Sequence, residues 1–258
     1  MFSTIKAAAE LIAGAKRIVV FTGAGISADS GIPTFRDPLT SIWAHYDPEK
    51  LETANAFREN AALVWGWYLW RRALVAQASP NAAHLAVAQL AQTGREVTVV
   101  TQNIDDLHER AGSSGVIHLH GALDLPKCFA CHRTPASVSL DHQFVSEGLS
   151  VEPPRRPRCN GKLRPGVVWF GEDLPTAVWK RAVQAAQGCD VLLSIGTSGV
   201  VFPAAEIPRI ALKSGARVVH INTTETPLES PLEMSLVGRA AICVPAIVSP
   251  IAMPGEVV

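Results

Sequence analysis

Short apolar runs rich in β-branched residues alternate along the chain with longer stretches in which apolar residues recur every three or four positions. Arg17–Thr22 (RIVVFT) is the first run, and it stops at Gly23. Similar runs follow at Val97–Thr101, Val116–Leu119, Val191–Ile195, Arg217–Ile221 and Ala241–Val244. Runs of this length, bounded by turn formers, fit strands buried on both faces. Helices are expected over 4–14, 81–93, 177–187 and 203–213. Strands alternating with helices predict an α/β fold, a Rossmann-like parallel sheet covered on both faces.

Two stretches break the alternation. Residues 33–56 carry Pro33, Pro38 and Pro48 without a strand-like run, and 57–78 read as one long Trp-rich helix. Residues 122–165 hold three of the five cysteines and the patch PPRRPRC. These insertions predict a smaller second domain, a helical module over 39–80 and a cysteine ribbon over 122–175. The Rossmann-like domain then takes residues 1–38, 81–121 and 176–258.

Composition narrows the functional classes. Apolar residues make up 48% of the 258 residues, enough for a sizeable core. Lys+Arg and Asp+Glu both total 23, so no net positive field points to nucleic acid. The opening Met1–Lys6 lacks the form of a signal peptide, and no run reaches the roughly 18 apolar residues of a membrane span. Cysteines at 128, 131 and 159 cluster as reduced thiols or metal ligands cluster, so a cytoplasmic protein without a membrane partner is expected.

The chemistry begins at the first strand's end. Gly23-Ala24-Gly25-Ile26-Ser27-Ala28 fits G-x-G-x-x-A, in which glycines let amide N–H groups approach a pyrophosphate. The same six residues also suit a tight strand-to-helix turn with no ligand. A dehydrogenase would follow with a strand ending in an acidic residue about 20 positions on. Here a proline-punctuated loop follows instead, Asp29-Ser30-Gly31-Ile32-Pro33.

GAGISADSGIPTFRD (23–37) resembles the signature of the sirtuin family. TQNIDDLHERAG (101–112), HLHG (118–121), VVWFGEDLP (167–175) and SIGTS (194–198) match further family motifs in order, and the resemblance runs from about Lys16 to Pro245. It implies an NAD-dependent protein-lysine deacylase that yields nicotinamide, free lysine and O-acyl-ADP-ribose, with acyl-lysine proteins or peptides as substrates. Deacetylation together with desuccinylation and demalonylation is the activity expected; a plain deacetylase without acidic-acyl preference, mono-ADP-ribosyl transfer from the same NAD site and a non-catalytic NAD sensor are the alternatives.

The resemblance also implies roles for single residues. Gly23, Ala24, Gly25, Ala28, Asp29, Phe35 and Arg36 would hold NAD, with Gln102, Asn103 and Asp105 at the nicotinamide ribose. Gly196, Thr197, Ser198, Asn222 and Ala240 would serve the adenosine end. Capping of the helix after residue 105 explains one of Asn103 and Asp105 without ligand chemistry. His120 matches the family's general base, with Asn103 beside it in the catalytic set, and imidazole titrates near neutral pH. His118 shares its strand face and reads as structural. Val168, Trp169 and Phe170 would pair with the substrate peptide by strand addition, the two aromatic rings lining an acyl-lysine tunnel; an edge strand of the core is the plainer reading.

Two departures from the family pattern stand out. Cys128, Cys131 and Cys159 resemble a zinc ribbon, but the fourth ligand position holds Arg156, so zinc would rest on three cysteines plus water or a nearby His132 or His142. Tyr68-x2-Arg71 lies on one helical face and resembles the pair in sirtuins that remove succinyl and malonyl groups. The small residue expected sixteen positions before the tyrosine is Glu52, an acid that would repel an acidic acyl group or pair with Arg71.

Overall fold

The computed structural model describes residues 2–33, 47–135 and 150–252. In chain order its elements are α1 (Phe2–Gly14), β1 (Arg17–Thr22), two single 3-10 turns (Ala24–Ile26 and Ala28–Ser30), α2 (Pro48–Leu51), α3 (Ala54–Glu59), α4 (Ala61–Gln77), α5 (Ala82–Ala91) and β2 (Glu96–Thr101). Then come α6 (Leu107–Arg110), β3 (Ile117–His118), β4 (Gly121–Cys128), β5 (Leu163–Val167), α7 (Thr176–Gly188), β6 (Val191–Ile195), α8 (Glu206–Lys213), β7 (Arg217–Asn222), β8 (Glu233–Val237) and α9 (Ala240–Ala252). The chain divides into two compact units: Met1–Thr34, Ser79–Leu119 and Pro175–Val258 form the larger, and Phe35–Ala78 with His120–Leu174 the smaller.

The larger unit is built on a six-stranded sheet in the order β3-β2-β1-β6-β7-β8, parallel throughout. Strands β1 and β6 are almost wholly buried, which is why they read as continuous apolar runs. Ile12, Val20, Leu90, Leu193, Val219 and Ile247 belong to one core cluster. The strand order runs outward in both directions from β1 and β6. That makes the carboxyl ends of these two strands the topological switch point, where open parallel sheets bind ligands.

Three sequence expectations change here. The run Ala241–Val244 is not a strand but the first turn of α9. Its buried residues Ala240, Cys243, Val244, Ile247 and Val248 repeat at helical spacing, a pattern that four residues are too few to display. The sixth strand is β8 (EMSLV), which escaped notice because only Leu236 on it is buried. The expected Val116–Leu119 strand contracts to Ile117–His118, although the Leu119 amide still donates to Thr101 O at 2.8 Å.

In the smaller unit the expected single helix over 57–78 is two helices. Asn60, at φ −146° and ψ 78°, ends α3 and caps α4 by accepting from Leu63 N through Oδ1. Antiparallel β4 and β5 pair with a register shift between Ala122 and Lys127. Trp65, Cys128 and Leu163 form a small core, and Phe57 packs on Phe129 and Trp169 at centroid distances of 4.9 and 5.4 Å.

Candidate functional site

At the switch point two glycine turns interlock. Gly23 N donates to Ile195 O (3.0 Å), Gly25 N to Gly196 O (2.9 Å) and Gly196 N to Ile221 O (2.9 Å). A Cβ on Gly25 would lie 2.7 Å from Gly196 Cα, and one on Gly196 would lie 2.5 Å from Gly25 C. Gly196 also sits at φ 61°, where glycine alone is unstrained. The glycines are therefore required by the close approach of two backbones. The Gly23 and Gly25 amides, expected to face a pyrophosphate, are held by carbonyls of the neighbouring strand end. Two 3-10 turns follow.

Thr197 ties three strand ends together. Its hydroxyl accepts from Gln102 Nε2 at 2.7 Å, and its carbonyl accepts from Asn222 Nδ2 at 3.0 Å. Ser198 is exposed beside it, Ala24 is half-buried and Ala28 exposed on the opposite turn. Deeper in, Ser27 joins two of the expected residues: its hydroxyl donates to Asp105 Oδ2 and accepts from Asn103 Nδ2, both at 3.1 Å. All three are buried. Burial raises the Asp105 carboxyl above its ordinary value, partly offset by the Leu107 amide and Ser27. Asp105 is not the cap residue of α6, a place that Asp106 takes without a side-chain bond, but its Oδ1 accepts from Leu107 N at the head of that helix.

Ser27 and Asn81 were not singled out in the sequence. Asn81 Nδ2 donates to Ile26 O and Ser30 Oγ at 2.8 and 3.0 Å, fixing the turn from behind. The signal was Asn81-x2-His84, a capping pair at the head of α5. Asp29, expected to contact NAD, is ion-paired with Arg239, which precedes the buried Ala240 at the start of α9. Phe35 and Arg36 lie outside the described residues.

His118 takes the structural part expected of it, sharing one ring nitrogen with Asn103 O (3.1 Å) and the other with Glu109 Oε1 (2.7 Å). Burial lowers its pKa, but Glu109 outweighs burial and the net shift is upward. His120 is half-buried in the turn between β3 and β4, and its carbonyl accepts from Val168 N at 2.8 Å. Gly121 follows at φ 76°, where a Cβ would meet Gly166 O at 2.1 Å.

Within the smaller unit, Val168–Phe170 is pinned at every amide. Trp169 N donates to Glu172 Oε2 (3.0 Å) and Phe170 N to Glu52 O (2.9 Å), beside the Val168 bond to His120. An added strand would thus meet the segment's carbonyls rather than its amides. The plainer edge-strand reading gives way: β5 ends at Val167, and Phe170 makes an isolated bridge to Thr53. Trp169 is buried and Phe170 is 41% exposed. Arg164, fully buried, lies against the Trp169 ring at 3.2 Å from its centroid and is ion-paired with Glu172. Trp169 Nε1 donates to the Tyr68 hydroxyl at 2.9 Å. Burial raises the Tyr68 phenol well above its usual range, and Glu52 adds to that. Glu52 is itself buried and ion-paired with Arg71, with Trp67 Nε1 at 3.5 Å from the same oxygen.

The cysteine ribbon gathers as expected. The Sγ atoms of Cys128, Cys131 and Cys159 lie within 4.8 Å of one another, and among the described residues no histidine joins them. His132 is instead the left-handed residue of a turn at φ 58°, and His142 lies outside the described residues. Cys189 and Cys243 are buried elsewhere. No helix among the described residues is long and apolar enough to cross a membrane.

Known proteins share this arrangement. A protein of Pseudomonas syringae pv. tomato named NAD-dependent protein deacylase 4 is 61% identical over 233 residues, covering 90% of this chain and 91% of the relative. A Sir2 homologue solved with NAD superposes with a TM-score of 0.85 at 41% identity, over 95% of this chain and 93% of the other. A Sir2 protein bound to a myristoylated histone peptide gives a TM-score of 0.76 at 34% identity, over 97% of both chains. The sequence pattern of the Sir2 family matches residues 23–203, from the first glycine turn to the loop beyond the second. The chain belongs to the Sir2 family.

Proposed function

We propose that the protein is an NAD-dependent protein deacylase acting on acyl-lysine side chains. The observation that carries this reading is the switch point, where Gly23–Gly25 and Gly196–Ser198 interlock and Thr197 gathers Gln102 and Asn222, in a chain of the Sir2 family. Ala24, Ala28 and Asp29 on one turn, and Thr197, Ser198, Asn222 and Ala240 on the other side, would cradle the dinucleotide. Asn103 and Asp105, fixed by Ser27, would orient the nicotinamide ribose. Bound there, NAD would supply an electrophilic ribose carbon for the acyl-lysine amide oxygen, with nicotinamide as leaving group. His120 would draw the proton from the ribose hydroxyl, its backbone held by Val168. Trp169 and Phe170 would flank the acyl-lysine chain.

The finer question is which acyl groups are removed. Tyr68 and Arg71 resemble a carboxylate clamp for succinyl or malonyl groups, but Arg71 already carries the buried Glu52 carboxylate. Removing one partner of a buried pair leaves an uncompensated charge, so an acidic acyl group would have to displace Glu52. This favours uncharged acyl groups, and desuccinylation would be the minor activity. Mass spectrometry of acetyl-, myristoyl-, succinyl- and malonyl-lysine peptides with and without NAD tests both levels. NAD-dependent loss of uncharged acyl groups, abolished about 10²–10⁴-fold in His120→Ala, is expected. Transfer of label from NAD onto protein, with peptides left acylated, would replace deacylation by ADP-ribosyl transfer.

A further inference from the structure

The cysteine ribbon consists of two turns of matching geometry. In the first, Cys128 N donates to Arg133 O (3.0 Å), Cys128 O accepts from His132 N (2.9 Å), and His132 is left-handed at φ 58°. In the second, Arg156 N donates to Gly161 O (2.9 Å), Arg156 O accepts from Asn160 N (2.8 Å), and Asn160 is left-handed at φ 55°. Cys131 and Cys159 hold the same place in their turns. Arg156 is therefore the structural counterpart of Cys128, on a backbone already shaped to present a ligand.

The three sulfurs lie within 4.8 Å of one another, close enough to share one ion. Cys159 Sγ lies 3.5 Å from Cys128 Sγ and 3.6 Å from Cys131 Sγ. Sulfurs bound to zinc at about 2.3 Å are separated by roughly 3.8 Å along a tetrahedral edge. Three corners fit, and the fourth does not, because a guanidinium keeps its proton and offers no lone pair. Arg156 Nη1 points instead at Cys159 Sγ, 3.9 Å away. Its positive charge suits three thiolates around a divalent ion, which together carry one negative charge. Exposure grades from buried Cys128 through half-buried Cys131 to exposed Cys159, so the site opens to solvent at the arginine corner.

We propose that Cys128, Cys131 and Cys159 form an open three-thiolate site for a soft divalent ion, with Arg156 as charge partner and solvent at the fourth corner. The ion exchanges, and a single substitution, Arg156→Cys, closes the site. The test uses the reduced full-length chain, stripped with chelator and then titrated with zinc or cobalt(II). Wild-type protein is expected to take up one ion per chain from excess metal. Sulfur-to-cobalt charge-transfer absorption should appear, the three cysteines should be shielded from alkylation, and EDTA should remove the ion quickly. Cys159→Ser should abolish uptake. Arg156→Cys should hold zinc through EDTA treatment and lower its dissociation constant by more than about a hundredfold, beyond the 10–100-fold typical of an outer-shell partner. Alkylation of wild-type cysteines at equal rates with and without metal overturns the site, whatever the variants do. EDTA-resistant zinc in the wild type, or an Arg156→Cys protein that binds no more tightly, overturns the open corner.

Discussion

Gly196 shows how one residue couples the backbone to the ligand site. Its φ of 61° and the 2.5 Å approach to Gly25 leave no room for a side chain. Left-handed geometry alone costs roughly 1–2 kcal/mol for other residues, and here the clash is with backbone that has nowhere to move. Gly196→Ala should therefore push the two turns apart and weaken NAD binding by more than about tenfold, read by calorimetry. Unchanged affinity would show that the turns do not cradle the dinucleotide. Glu52 makes the opposite case, a side chain whose charge its neighbour Arg71 already pairs. Glu52→Gln keeps the shape and removes the charge, freeing Arg71 to hold a carboxylate through charge-assisted hydrogen bonds of about 1.5–3 kcal/mol each. Desuccinylation should rise about tenfold or more against deacetylation, and an unchanged ratio would remove Arg71 from acyl selection. Arg71→Met should lower stability by about 3–5 kcal/mol, because the buried Glu52 carboxylate loses its cation and keeps only the Trp67 indole; the double variant should recover most of it.

At the level of elements, legibility followed burial. Strands β1 and β6 could be read from sequence because both faces are covered: every position after the first is buried, and of these only Thr22 and Ser194 are polar. Strand β8 could not, since its side chains are half-exposed and its partner on one edge is β7 alone. Ala241–Val244 looked like a strand because four apolar residues carry no period, and only the chain out to Val248 reveals the helix. The long helix divided at Asn60 because one side chain can cap the second helix as the first ends. The site residues that motifs spell, Gly23, Asn103 and Thr197, were legible, whereas Ser27, Asn81 and Arg164 act through contacts made only in the fold. Glu172 illustrates such a contact. It accepts from Arg164 and from the Trp169 amide, and Arg164 holds its pKa below the usual range despite an opposing effect of burial. Glu172→Ala leaves the Arg164 charge uncompensated in the interior and unpins Trp169. Denaturant unfolding should show a loss of about 3–5 kcal/mol, and a loss under about 1 kcal/mol would mean the pair is solvated.

Across the whole molecule, titrating groups of opposite sense set the pH range of the fold. His84 and His108 stack edge to face at 5.0 Å behind the switch point, where His108 meets the Thr22 hydroxyl at 3.0 Å. Burial pushes His84 down to about 4, and burial with the charge of His84 pushes His108 down to about 3. Both are neutral in the folded chain and take up protons near pH 6.5 when it unfolds. Stability is therefore full above about pH 6.5 and falls as pH drops toward the folded values, by up to about 1.4 kcal/mol per unit for each histidine. His118 has the opposite sign: its pairing with Glu109 raises its pKa, so that contribution is present below about pH 6.5 and fades as pH rises through the folded value. Asp105, raised by burial, returns some stability only lower in the acid range, as it protonates in the fold. The sum is a maximum near neutrality with a steep acid side. Urea unfolding at about pH 7.5 and about pH 5 should differ by a few kcal/mol, and His108→Gln, which cannot take up the proton, should remove roughly half of that difference. Equal stability at the two pH values would mean that the histidine pair is already charged or solvated within the fold.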